Sequence, residues 1–138
     1  MTPTKNLVLA IMLGLAAGAC MSTEKEKPFS PSESFEFSHS ELAGLSESAL
    51  AGSAEDALKL SWFYSDRGNK DEEFFWTQVA MENGSAAGRH NYASLLVERG
   101  DARSLARAKY HLKALVEQGN KDAESLLREV GSKAPQVR

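Results

Sequence analysis

At 138 residues, with 42% hydrophobic and 25% charged side chains, the chain has room for one modest folded unit. Lys5 is the only charge before Cys20, so 15 basic groups face 19 acidic ones in the remainder, a net of −4. That balance argues against a nucleic-acid binder, which needs a basic face for phosphates, and a single cysteine excludes both an internal disulfide and a paired-cysteine metal site.

Residues 7–19 form a thirteen-residue run of small and apolar side chains behind Lys5, ending in Leu15-Ala-Ala-Gly-Ala just before Cys20. Charge, apolar stretch and small-residue cut site together read as a secretory signal peptide over residues 1–19. The run is too short for a bilayer core, which takes about 20 residues in a helix. The stretch LAAGAC resembles the lipobox of bacterial lipoproteins, with Ala17 where that motif most often has Leu, and the resemblance implies a lipid, palmitate among its acyl chains, on Cys20. Ala17 and Ala19 also satisfy the Ala-x-Ala rule for ordinary cleavage at the same bond. An unpaired, reactive thiol left free at the start of an exported chain weighs for acylation. Met21 is not Asp, which among lipoproteins implies transfer to the outer membrane, facing the periplasm.

Residues 20–38 read as a flexible tether, rich in Ser, Glu and Lys and interrupted by Pro28 and Pro31. Fully extended at ~3.3 Å per residue it reaches about 60 Å from its anchor. Phe29, Phe35 and Phe37 depart from this composition. Two readings stay open for Phe35 and Phe37: they fold back over the first helix, or they capture a partner.

From there to residue 131 the apolar side chains recur at three and four, the spacing of one helix face. Leu42, Leu45 and Ala49 mark a first helix that Gly52 stops; Ala57, Leu60 and Tyr64 mark the next, up to the turn Asp66-Arg-Gly-Asn69. Asp71-Glu-Glu73 opens the segment FFWTQVAMEN, which Gly84 ends. Tyr92, Ala93 and Leu96 belong to a fourth helix, Leu105, Ala108, Leu112 and Leu115 to a fifth, and Ala123, Leu126, Leu127 and Val130 to a sixth, before a polar tail over 132–138. The openings Gly52-Ser-Ala-Glu, Gly84-Ser-Ala-Ala and Gly119-Asn-Lys-Asp fall 32 and 35 residues apart, the period of a helical repeat array. The fold class expected is all-α.

The segment WTQVAMENGSAAGRHNYASLL resembles the Sel-one-like repeat, a helix pair related to the tetratricopeptide repeat. Trp76, Ala80 and Gly84 match that family's aromatic-x-x-x-Ala-x-x-x-Gly phrase. Leu60 and Tyr64 match the Leu and Tyr of the phrase that follows it, with Ser61 in place of Gly, and Tyr92, Ala93 and Leu96 fill the same places one repeat later. Asp56 and Gly88 replace the usual Ala, His111 stands where Trp76 does, and the loop inside the first pair reads as shortened. The resemblance implies a short right-handed α-solenoid of antiparallel helix pairs. Small residues (Ala80, Ala93) would let helices approach, while Leu60, Tyr64, Trp76, Tyr92, Leu96, Leu112 and Leu126 fill the seams. It further implies a scaffold for protein partners in the periplasm; exported lipoproteins of this kind also include immunity factors that sequester an antibacterial toxin, often a lipase.

Residue patterns for chemistry are weak. His39, His90 and His111 have no carboxylate or second His one turn on, so no metal site is read from them. Arg99-Gly-Asp101, though an adhesion triplet elsewhere, falls where a helix stops and the next is capped. No nucleophile elbow, Ser-His-Asp spacing or phosphate-cradling glycine loop is present, so neither enzyme activity nor a cofactor is expected. The aromatic side chains carry the surface signal. Trp62 lies 200° around the helix from Leu60, and Phe74, Phe75 and Trp76 cannot share one seam. Either the opposing faces meet a neighbouring helix pair, or Trp62, Phe63 and Phe74 serve as an exposed anchor for a protein partner.

Overall fold

The computed structural model describes residues 36–132, and the signal peptide, Cys20 and residues 133–138 lie outside them. Five glycine-plus-cap dipeptides set its joints: Gly52-Ser53, Gly68-Asn69, Gly84-Ser85, Gly100-Asp101 and Gly119-Asn120. Each glycine sits at positive φ, and the side chain after it accepts a backbone N–H of the next helix's first turn. At four joints the residue after the glycine also donates its N–H five residues back, as from Ser85 to Ala80, which satisfies a carbonyl the ending helix would leave open. Arg99-Gly-Asp101 is one such joint, with Gly100 at φ 68° and the Asp101 carboxylate accepting from the N–H groups of Arg103 and Ser104.

These joints delimit six helices: α1 (His39–Leu50), α2 (Ala54–Asp66), α3 (Lys70–Glu82), α4 (Ala86–Arg99), α5 (Ala102–Glu117) and α6 (Lys121–Ser132). The described residues are all-α, and each helix packs against the next one in the chain. The three-residue difference between the 32- and 35-residue spacings lies in a helix and corrects the expected loop shortening. α5 has 16 residues against 13 in α3, because Asp101 starts it almost a full turn further from its closing glycine.

The core has two parts. Ala49, Ala57, Leu58, Leu60, Trp76 and Ala80 pack α1 to α3 together, with Leu42, Leu45, Trp62, Tyr64 and Val79 partly buried against them. Tyr92, Ala93, Leu96, Val97, Leu105, Ala108, Leu112, Leu115, Ala123 and Val130 join α4 to α6, covered in part by Phe74, Met81 and Leu126. α3 connects the two, since its Trp76 faces the first cluster and its Phe74 and Met81 the second. α3 and α4 approach closely at Gly88, where a Cβ would lie 2.8 Å from the Met81 nitrogen and 2.9 Å from the Ala80 Cβ.

Two residues read as tether belong to the folded part. Ser38 caps α1 in a reciprocal box with Glu41, and the Phe37 ring lies 5.7 Å from that of Phe63 on α2. Phe35 lies outside the described residues.

α1 is tied to α2 by Asp56, whose carboxylate accepts from the Ser48 hydroxyl at 2.6 Å and from Lys59 at 3.1 Å. Burial favours its protonated form, but the hydrogen bonds from Ser48, Lys59 and Ser53 outweigh that and hold it below the ordinary carboxylate range. A depressed pKa stabilises the fold above the unfolded value of about 4, and the contribution disappears as pH falls through the lower folded value. Protection factors of the α1 amides, corrected for the intrinsic exchange rate at each pH, are therefore expected to fall as pH drops below about 4. In an Asp56→Asn variant that dependence should be absent; an unchanged profile there would remove Asp56 from the cause.

Candidate partner-binding cleft

Between α2 and α4, floored by α3, lies an open cleft of about 210 Å³. α2 contributes Ser61 and Trp62, α3 contributes Glu73 and Thr77, and α4 contributes Asn91, Ser94, Leu95 and Glu98.

The floor is an ordered polar chain. The Thr77 hydroxyl donates to the Glu73 carbonyl at 2.7 Å, the usual back-bond of a helical Thr, which leaves its oxygen to accept from Ser61 at 2.6 Å. The Glu73 carboxylate, itself buried, accepts from the Ser65 hydroxyl through one oxygen and from Lys70 through the other, both at 2.8 Å. Hydrogen bonding to the carboxylate raises the Lys70 pKa, and the charge of Glu98 adds to it. Glu73 thus joins α2 to α3 with both oxygens satisfied, as a buried charge requires.

The repeat register shows how unusual this floor is. Counted from the glycines, Ser61 and Ser65 correspond to Ala93 and Val97, and Glu73 and Thr77 correspond to Ala108 and Leu112. All four positions of the second pair are apolar and buried. The first pair places hydroxyls and a carboxylate at the same sites, and Ser61, Glu73 and Thr77 among them border the cleft. A polar seam where the same architecture accepts an apolar one gives up packing for hydrogen-bonding groups beside an opening.

No protein-family model, curated protein or solved structure matches the chain. The cleft's chemistry therefore rests on its own residues.

The aromatic side chains singled out by the sequence occupy three separate environments. Trp62 is half-buried, forms one wall of the cleft and packs on the α1–α3 cluster. Phe63 is buried, with the Tyr64 ring at 5.1 Å and the Arg67 guanidinium 3.7 Å from its centroid. Phe74 is half-buried on the α4–α6 cluster, 5.1 Å from the Tyr92 ring, with Arg99 stacked at 3.8 Å. Of the three, Trp62 alone borders the cleft. Among the described residues, the exposed Phe and Tyr rings are instead Phe75 and Tyr110, which stand one residue before the corresponding Trp76 and His111. Among the seam residues, Leu60, Trp76, Ala80, Tyr92, Ala93, Leu96 and Leu112 are buried, while Tyr64 and Leu126 are partly buried.

Glu73, Thr77, Asn91, Ser94 and Glu98 were not among the candidate residues from sequence. The signal for the first two was available as polar residues at repeat positions that are apolar one unit later. Asn91, Ser94 and Glu98 lie on a face of α4 whose exposure depends on how far it stands from α2, which a linear pattern does not encode.

Proposed function

We propose that the chain is an exported lipoprotein, held at a membrane by lipid on Cys20, whose helix pairs stack as a short Sel-one-like solenoid and offer the α2–α4 cleft to a protein partner. The polar seam of Ser61, Ser65, Glu73 and Thr77, set against Ala93, Val97, Ala108 and Leu112, carries this reading. A segment entering the cleft meets Trp62 and Leu95 for apolar contact, and Asn91, Ser94 and Glu98 for hydrogen bonds along the rim. Loops of two or three residues between helices that pack on one another support reversal of the chain at each joint, and so antiparallel pairs. Among the described residues no helix is long and apolar enough to cross a membrane, and attachment in this reading falls to Cys20.

The test is capture of cell-envelope proteins on the purified chain and on Ser94→Arg, whose long side chain fills the cleft from a half-buried helical site. The variant should lose the proteins captured by the parent while keeping its melting temperature. Equal recovery by a folded variant would rule out the cleft as the contact. A scaffold should retain several proteins, an immunity factor one at a fixed stoichiometry. In the same cells Cys20→Ser should move the protein from the membrane to the soluble fraction; retention at the membrane would contradict lipid anchoring.

A further inference from the structure

The polar groups that line the α2–α4 cleft divide into those already engaged and those left open. Ser61, Glu73 and Thr77 are bonded to one another or to neighbours on α2 and α3, and the Ser94 hydroxyl donates to the His90 carbonyl at 3.1 Å. Asn91 and Glu98 differ: among the described residues neither the carboxamide nor the carboxylate is hydrogen-bonded or ion-paired. Seven residues apart, they lie two turns apart on one face of α4, with Ser94 and Leu95 between them and Trp62 on the α2 wall.

The charge of the cleft is equally one-sided. Among the described residues no basic side chain lines it. The Lys70 ammonium is bonded to Glu73 at 2.8 Å, which offsets that carboxylate and leaves Glu98 as the uncompensated charge of the opening. The three helices that form the cleft carry eight carboxylates against four basic side chains, and one of those four, Arg99, is stacked on Phe74 in the other cluster. Such a field draws in a cation and repels an anion.

The geometry points to an arginine of a basic peptide segment as the group this cleft receives, its guanidinium against the Trp62 ring and its N–H groups on Glu98 and Asn91. The inference rests on the cleft reading and names the chemistry of the partner. At about 210 Å³ the opening is smaller than the roughly 300–1,000 Å³ of small-molecule pockets, and it suits one long side chain presented by a protein. A guanidinium is planar, stacks on aromatic faces, offers several N–H donors in a fixed fork and gives up its water more readily than an ammonium. An entering carboxylate would face Glu98 with no lining cation to offset it. An aliphatic side chain would strip water from Asn91 and Glu98 and give them no partner in return.

The full chain is titrated with capped glycine-rich peptides that differ only in a central Arg, Lys, Leu or Glu, while NMR follows the Asn91 carboxamide and the Trp62 indole N–H. The arginine peptide is expected to shift both signals and to bind about tenfold more tightly than the leucine or glutamate peptide, the gain from one charge-assisted contact. Glu98→Gln, at an exposed position, should keep the fold and weaken the arginine peptide about tenfold. A leucine or glutamate peptide that shifts the same signals as strongly would overturn the arginine assignment and leave the cleft as a docking site. So would a lysine peptide that binds as tightly, or an arginine response undiminished in Glu98→Gln. No shift with any of the peptides would overturn the arginine assignment and count against the cleft itself.

Discussion

Leu112→Ala is expected to destabilise the protein by about 2–5 kcal/mol, the range for removing a fully buried leucine and leaving a cavity behind. Leu112 has no exposed surface and belongs to the cluster that joins α4, α5 and α6. Its loss uncouples more than one contact, because Tyr92, Leu96, Leu115 and Val130 are members of the same cluster. Domains of this size are stable by about 5–15 kcal/mol, so the variant should melt far below the parent or populate unfolded chain at 37 °C. Leu50→Ala is the matched control: that leucine is 65% exposed, and the change should stay within about 0.5 kcal/mol. Urea unfolding followed by circular dichroism measures both. Equal losses would mean that the α4–α6 cluster does not hold the fold.

Gly88→Ala should destabilise, although alanine is the better helix former by about 1 kcal/mol. The added Cβ would lie 2.8 Å from the Met81 nitrogen and 2.9 Å from the Ala80 carbonyl carbon, and backbone atoms of α3 cannot swing aside as the end of a side chain can. Separating α3 from α4 also loosens the packing that Phe74 and Met81 make on the second cluster. Overpacking of this kind costs about 1–3 kcal/mol, enough to exceed the propensity gain. Gly44 provides the opposite sign. It lies in α1, and a Cβ added there would meet nothing within 4 Å, so Gly44→Ala should stabilise by up to about 1 kcal/mol. Thermal melts of the two variants should shift in opposite directions; a stabilised Gly88→Ala would contradict the close α3–α4 approach.

The helices were legible because their punctuation is local. Gly84-Ser85 and Gly119-Asn120 encode a stop and a start within two residues, and the apolar spacing of Leu105, Ala108, Leu112 and Leu115 needs no knowledge of the rest of the fold. The ends of α5 were legible in the same way, from the cap at Asp101 and the glycine at 119, whereas the source of the length difference between the pairs, expected as a shortened loop, was misread. Phe63 lies buried under Phe37 and Arg67, contacts that depend on the chain before α1 folding back over α2. Trp62 was identified from its angle to Leu60 alone, and it does border an opening. Its polar neighbours come from three helices, so their grouping depends on packing that hydrophobic periodicity does not report.

Photo-crosslinking in growing cells tests the partner-binding account most directly. A photoreactive amino acid is placed at Asn91, in the cleft, and in a second strain at Tyr110, which is 72% exposed on α5. Position 91 should yield a discrete protein adduct that disappears when Ser94→Arg is added, and position 110 should yield none of the same mass. Adducts from position 110 with none from position 91 would contradict the assignment of the cleft between α2 and α4 to a protein partner.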